Sequence, residues 1–373
     1  MLPSLTALHL PRTLFGAGSL ASLADELVAL GLRQPMLVTD KGVVKAGLVE
    51  KLITACRRKV AMSLFDSVTE NPIFSDVDSG ARQYAHDACD GVIALGGGSV
   101  IDTAKFIALL ATNAGVAADF AGMPGVKHGP SAPLIVIPTT AGTGSEASPS
   151  AGIHPNAHTA TLGMNSGHIV PKVAILDPDL TASLPQRLTA ATGIDALSHC
   201  IEGYLSKRDL PLGKSMALDG IARVARSLRN ATAHRDPAAR ADMMLAAYAG
   251  GVSIGMGLGP AHAFAITCSD QGFHHGILSG IGMIATLDAT AAHVPGRVEE
   301  LAATFGVAGP LGDAIAALMN DLGLPTTLAG LGYAVTDPNA LGKAAHLSHF
   351  NESAPFHPSA DEYASIIAAS ASR

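Results

Sequence analysis

The chain predicts a two-part architecture: an α/β half built on a parallel sheet, followed by an all-α half. Three observations carry this reading. Short β-branched runs alternate with amphipathic segments over the first half, helical spacing takes over from about Ser183, and a run of three glycines joins a buried strand to a helix near residue 97.

Taken in order, "RTLFGAGSLA" comes first. Gly16 to Ala21 matches G-x-G-x-x-A, but only "RTLF" precedes it, too little for the deeply buried strand that a dinucleotide fingerprint requires. Gly16 and Gly18 therefore read as a turn into the helix "SLASLADELVALG". "PMLVTD", "VAMSLFD", "GVIALGGG", "PLIVIPTT" and "VAILDP" read as strands, and "SDVDSGARQYAHDAC" and "SVIDTAKFIALLATN" as the helices between them. "DPDLTASLP" supplies turn residues and a helix cap, placing a boundary near residue 181 and domains at 1–181 and 182–373. Beyond it, "SLPQRLTAATGIDALSHCIEGYLS", "SMALDGIARVARSLRNATA", "AARADMMLAAYAGGVSIGMG" and "RVEELAATFG" all keep helical spacing. "GVSIGMGLGP" is too glycine-rich for an undisturbed helix.

Composition narrows the function. With 373 residues and 48% apolar content, each half can bury a substantial core. The net charge of −7, without a basic cluster, excludes the electrostatic footprint of a nucleic-acid or anionic-membrane binder. Four scattered cysteines, Cys56, Cys89, Cys200 and Cys268, form neither a disulfide framework nor a C-x-x-C pair. No uninterrupted 18-residue apolar stretch occurs, and the expectation is a cytoplasmic protein with small-molecule partners.

The segment "GVIALGGGSVIDTAK" points to phosphate. Val92 to Leu95 run into Gly96, Gly97 and Gly98, and Ser99 opens a helix whose first turn contains Asp102. Glycines let a ligand approach the backbone, and free amides plus the helix dipole attract an anion. A second strand end, "IPTTAGTGSE", adds the hydroxyls of Thr139, Thr140, Thr143 and Ser145 at what should be the same edge of the sheet, where ligands of open α/β sheets bind. Asp40 ends its strand with a carboxylate that can accept hydrogen bonds from ribose hydroxyls and would repel a 2′-phosphate, favouring NAD over NADP.

"GIDALSHCIEGY" points to a cation. Asp195 and His199, four residues apart, stack on one helix face, so a carboxylate oxygen and an imidazole nitrogen can converge. An Asp and a His at this spacing can equally be a hydrogen-bonded pair, so further donors are needed. "GPAHAFAITCSDQGFHHGILSG" offers His262, His274 and His275, and a mixed oxygen and nitrogen set suits Fe(II), Zn(II) or Mn(II).

Together "LFGAGSL", "LVTDKG", "GGGSVIDTAK", "IPTTAGTGSE", "PKVAILDPDL", "GIDALSHCIEGY" and the "AH…HHG" region resemble, over nearly the whole chain, the iron-containing or group III alcohol dehydrogenase family. The resemblance implies a dehydroquinate synthase-like architecture, an N-terminal dinucleotide-binding domain and a C-terminal helical domain, with a divalent metal in the cleft between them. It implies that Asp195, His199, His262 and His275 bind the metal, most often iron and sometimes zinc. It further implies that Asp40, Gly97, Gly98, Ser99, Thr139, Thr140 and Thr143 hold NAD, with Asp102 in the same turn and Lys172 nearby, and that the protein is a homodimer.

The implied activity is NAD-dependent interconversion of a small alcohol and its aldehyde or ketone. Three departures qualify it. "HAFAI" places Ile266 where the family commonly has a second histidine by the active site; the interval from His262 to His275 is one residue short, leaving His274 as a competing ligand; and "SPSAGIHPNAHTATLGMNSGHIV" replaces an apolar strand with a polar segment that could line a different substrate pocket. With "HHG", that segment points to a small polar alcohol or hydroxy acid such as a 4-hydroxybutyrate-like compound. The rival readings are a metal-free reductase of the maleylacetate reductase type and a non-catalytic NAD- and metal-binding sensor.

Overall fold

A computed structural model describes residues 8–56, 60–122, 127–157, 159–234 and 236–372. They form two compact units: a sheet unit of Leu8–Thr140 and Ser145–Leu184, and a helical unit of residues 141–144 and 185–372. The division falls at Leu184, just past the short Pro178–Thr181 turn, and the four residues Ala141–Gly144 group with the helices although the sheet flanks them in sequence.

In chain order the strands are β1 (Arg12–Phe15), β2 (Met36–Val38), β3 (Ser63–Phe65), β4 (Val92–Gly96), β5 (Leu134–Pro138), β6 (Ser150–Ile153), β7 (Leu162–Asn165) and β8 (Val173–Leu176). Six of them make an all-parallel sheet in the order β1-β8-β5-β4-β2-β3. Both faces of this sheet are covered, which is why its central strands read as unbroken apolar runs. Ile93 and Leu95 of β4 pack with Leu23, Leu27, Ile135, Ile137 and Ile175 on one side. Val92 and Ala94 pack with Met36, Val38, Ile101, Ala104 and Ile107 on the other.

The segment "RTLF" does form a strand, but as the exposed edge beside β8, consistent with its being too short and polar for the sheet interior. The polar 148–170 stretch yields a separate two-stranded antiparallel hairpin, β6 with β7. His154 is consumed within that region: Nδ1 faces the Thr159 carbonyl at 2.7 Å and Nε2 the Thr161 hydroxyl at 2.9 Å.

The strand order fixes where a ligand can sit. From β2 the chain moves outward to β3, then returns across β2 to β4 and continues the other way to β5 and β8. The direction therefore reverses between β2 and β4, and the crevice outside their carboxyl ends is the ligand position of such folds.

In the helical unit, the Gln186–Leu205 helix is the axis: every residue from Thr189 to Leu205 is buried, so it has no solvent face. Its neighbours are the helices Pro211–Ala233, Pro237–Ile254 and His275–Ala291. The glycine-rich "GVSIGMGLGP" interrupts helix as expected, with one helix ending at Ile254 and the next, Pro260–Thr267, starting after it. No helix among the described residues is long and apolar enough to cross a membrane.

Candidate metal centre and nucleotide cradle

A helix buried on all sides must account for each polar side chain it carries. Along Gln186–Leu205 the hydroxyls answer locally: Thr189 donates to the Pro185 carbonyl at 3.1 Å, Thr192 to that of Leu188 at 2.9 Å and Ser198 to that of Asp195 at 2.7 Å. The Tyr204 hydroxyl, near the end, donates to Glu300. Asp195, His199 and Glu202 stand at i, i+4 and i+7 on one face. Their partners come from other helices.

Asp195 Oδ1 lies 4.0 Å from His199 Nε2 and 3.7 Å from His275 Nε2. The His199 and His262 rings stack with centroids 4.7 Å apart, and the His275 ring centroid is 5.5 Å from that of His262. One donor atom from each of Asp195, His199, His262 and His275 falls within 4.8 Å of all the others. Asp195 Oδ1 and His262 Nε2 are buried and have no hydrogen-bond partner. Two such orphans in one cluster cost about 1–3 kcal/mol each, a penalty that a cation accepting their lone pairs removes. The residues present therefore fit a divalent metal.

His275 belongs to this group, whereas His274 caps the His275–Ala291 helix, its Nδ1 accepting from the Gly276 amide at 3.1 Å. His275, with 37% of its side chain exposed, is the donor a small molecule can reach. Ile266 stands one turn beyond His262, half-buried.

Backbone contact makes this convergence possible. A Cβ on Gly276 would lie 2.2 Å from the Ala191 carbonyl oxygen and 2.9 Å from Asp195 Cβ, so only glycine lets the segment carrying His275 approach the axis helix. On the opposite flank, a Cβ on Gly250 would lie 3.1 Å from His199 Cβ.

Electrostatics prepares the donors. Burial drives the His199 pKa down to about 3, against the pull of Asp195, so its imidazole is neutral at physiological pH, the form that binds metal. Burial alone would raise the Asp195 carboxyl, but His199, His275 and His262 outweigh it and hold it low. This sets a pH signature. Above about pH 6.5 His199 is neutral folded or unfolded; below that the unfolded chain takes up a proton that the folded site refuses. The metal-free protein should therefore lose stability as pH falls from about 6.5 towards 3, with a shallower decline in His199→Gln. Denaturant midpoints across that range test it; parallel curves for the two proteins would refute the assignment.

In the sheet unit, Asp40 follows β2 and the glycine turn follows β4, at the point where the strand direction reverses. Thr39 Oγ1 donates to the Leu95 carbonyl at 2.8 Å, tying the two strand ends together. Gly97 precedes the Gly98–Leu110 helix with no side chain capping it, so the first amides remain available to an anion. A Cβ on Gly97 would lie 3.1 Å from Thr140 Cγ2, which places Thr140 over the turn, and the Thr139 amide continues the ladder to the Gly96 carbonyl at 3.0 Å.

Other expected contributors also make contacts within the protein. Asp40 Oδ1 caps the Lys41–Lys45 helix by accepting from the Val43 amide at 2.8 Å. The Ser99 hydroxyl donates to the Glu70 carbonyl. Asp102 is a bracket, accepting from the Ser145 hydroxyl and, at 2.8 Å, from the Gly152 amide. Next to it, fully buried Lys105 donates to the Ser148 and Ser150 carbonyls at 2.9 and 2.6 Å. Thr143 falls in the stretch that groups with the helices. Lys172 is exposed at the amino end of β8, opposite to the edge where the glycine turn lies, and the structure does not bring it to the cradle.

Glu202 and Gly276 are contributors that sequence reading passed over. The signal for Glu202 was present, since it extends the Asp195–His199 stripe by one turn; Gly276 is meaningful only once its neighbour across the helix crossing is known.

Comparison with known proteins finds relatives over most of the chain. The family model for "iron-containing alcohol dehydrogenase" matches residues 11–178, and that for the "Fe-containing alcohol dehydrogenase family, C-terminal" matches 189–371. A 4-hydroxybutyrate dehydrogenase of Cupriavidus necator is 38% identical over 381 residues, covering 97% of each chain. A solved 1,3-propanediol oxidoreductase is similar with a TM-score of 0.92 and 29% identity, over 98% of this chain and 100% of the other. The sulfoacetaldehyde reductase from Bifidobacterium kashiwanohense, solved in complex with NAD+, gives 0.91 and 29%, over 100% and 99%.

Proposed function

Since the chain belongs to the iron-containing alcohol dehydrogenase family, we propose that its activity is metal-dependent, NAD(H)-linked interconversion of a small polar alcohol or hydroxy acid and the corresponding aldehyde. The observation that carries this is the meeting of Asp195, His199, His262 and His275, with buried Asp195 Oδ1 and His262 Nε2 lacking hydrogen-bond partners. A metal-free reductase would leave that penalty standing.

When bound, the cation supplies Lewis-acid polarisation of the substrate oxygen and the nicotinamide supplies the hydride acceptor. The chain's own residues do the rest. Asp195, His199, His262 and His275 hold the cation, and burial keeps His199 neutral so that protons do not compete for it. The amides of Gly97, Gly98 and Ser99, at a helix N-terminus, would receive the cofactor's diphosphate, with Thr139 and Thr140 alongside. Asp40, beside that turn, favours unphosphorylated ribose. Ile266 carries no exchangeable proton, so the alcohol proton must leave by a route other than the helix turn after His262.

The relative of highest identity named above is a 4-hydroxybutyrate dehydrogenase, and that supports an ω-hydroxy acid as substrate class. We place the enzyme as a cytoplasmic homodimer without nucleic-acid or membrane partners. In a screen of short alcohols, diols and hydroxy acids followed by NADH absorbance, 4-hydroxybutyrate should rank among the best substrates. Chelation should abolish turnover and Fe(II) or Zn(II) restore it. Activity that survives complete chelation would remove the metal's role, and absence of turnover on every compound by the reconstituted protein would favour the sensor reading.

A further inference from the structure

We propose that Glu202 is a positioning residue of the metal centre, fixing the His262 ring and its tautomer so that Nε2 is presented as a lone pair. The inference rests on the metal-binding reading above and deepens it.

The Pro260–Thr267 helix begins after Gly259, whose lack of a side chain leaves the first amides uncapped from within. Glu202, from the axis helix, supplies the cap. Its Oε1 accepts from the Ala261 amide at 2.7 Å, and Oε2 accepts from the His262 amide at 3.3 Å. Oε2 also lies 2.6 Å from His262 Nδ1, and both side chains are almost wholly buried. An acceptor-only carboxylate at that distance requires the proton on Nδ1. In the neutral ring, the form that can bind a metal, Nε2 is then the unprotonated nitrogen, and it is this atom that lies buried without a hydrogen-bond partner among the other donors. One carboxylate thus anchors a helix start and sets the chemistry of a ligand on that helix. Ligand histidines held by such outer carboxylates typically lose about 10–100-fold in metal affinity when the carboxylate is removed.

Glycine at 259 belongs to the same device. A Cβ there would stand 2.9 Å from Glu202 Oε1, so any larger residue pushes the carboxylate off its place without deleting it.

The test is Zn(II) affinity of the full-length, metal-free protein, measured by competition with a chromophoric chelator, together with the 15N shifts of the His262 ring. Glu202→Gln keeps an oxygen able to cap the Ala261 amide but loses the charge and the acceptor-only character. It should bind Zn(II) about 10–100-fold more weakly, and its His262 ring should show a mixture of tautomers where the wild type shows the Nδ1–H form alone. Gly259→Ala should weaken binding in the same direction, and it decides the matter if Glu202→Gln does not fold. Wild-type affinity and tautomer in both variants, with lowered thermal stability only, would make Glu202 a helix cap and overturn the inference while leaving the metal reading intact. Zn(II) uptake that is equal in wild type and His199→Ala would instead remove the metal reading itself.

Discussion

Asp195→Asn should emerge from purification with little bound metal and with kcat/KM lower by about three orders of magnitude, the rate equivalent of about 4 kcal/mol of lost transition-state stabilisation. The substitution preserves shape, so the loss is one of charge. Asp195 is the sole anion among the four donors, it is 1% exposed, and its Oδ1 is the atom nearest both His199 and His275. An amide there presents either a neutral oxygen or an NH2 group to a cluster that needs an anionic ligand. Metal content by mass spectrometry and steady-state kinetics after incubation with excess Fe(II) or Zn(II) measure the effect. Full metal occupancy with wild-type kcat/KM would show that Asp195 is not a ligand.

Gly251→Ala should destabilise the helical unit by about 3 kcal/mol or more, with an apparent unfolding temperature about 10 °C lower. Its added methyl would sit 1.9 Å from the Gly144 carbonyl oxygen, a clash with backbone that no rotamer change relieves. Gly144 cannot give way by changing identity, because its φ of +62° is left-handed and its own Cβ position is 2.3 Å from the Gly251 amide nitrogen. The two glycines seat the Ala141–Gly144 stretch directly on the Pro237–Ile254 helix. Differential scanning calorimetry of the metal-free protein isolates the packing term from any change in metal retention. A shift of less than a degree would mean that the stretch moves aside at little cost.

Much of this was legible in the chain. Parallel strands buried on both faces must be apolar throughout, and "VIALG" and "LIVIP" show it; helices spaced by small residues repeat every three to four positions, and the second half shows that too. Asp195 and His199 could be paired on paper because a helix converts spacing into proximity. What could not be read was contact between distant segments. His274 and His275 are adjacent in sequence, and only the placement of Gly276 against Ala191 decides which of them reaches Asp195. The 150–165 hairpin escaped because its alternation is weak and its polar groups are satisfied by Lys105 and Asp102, residues of a helix some 45 positions earlier, roughly a dozen helical turns of chain away. Asp102 illustrates the same limit: its position in the first turn suggested a ligand, whereas its hydrogen bonds spend it on architecture.

The hydrogen-for-methyl economy at Gly276 and Gly250 has a practical corollary for anyone wishing to retarget this enzyme. At Gly276 the Ala191 carbonyl oxygen is the spacer, so any side chain there would push the helix carrying His275 away from the one carrying Asp195 and His199. Libraries that randomise the neighbourhood of Ile266 while sparing Gly276 and Gly250 should sample new specificities while keeping the four donors together.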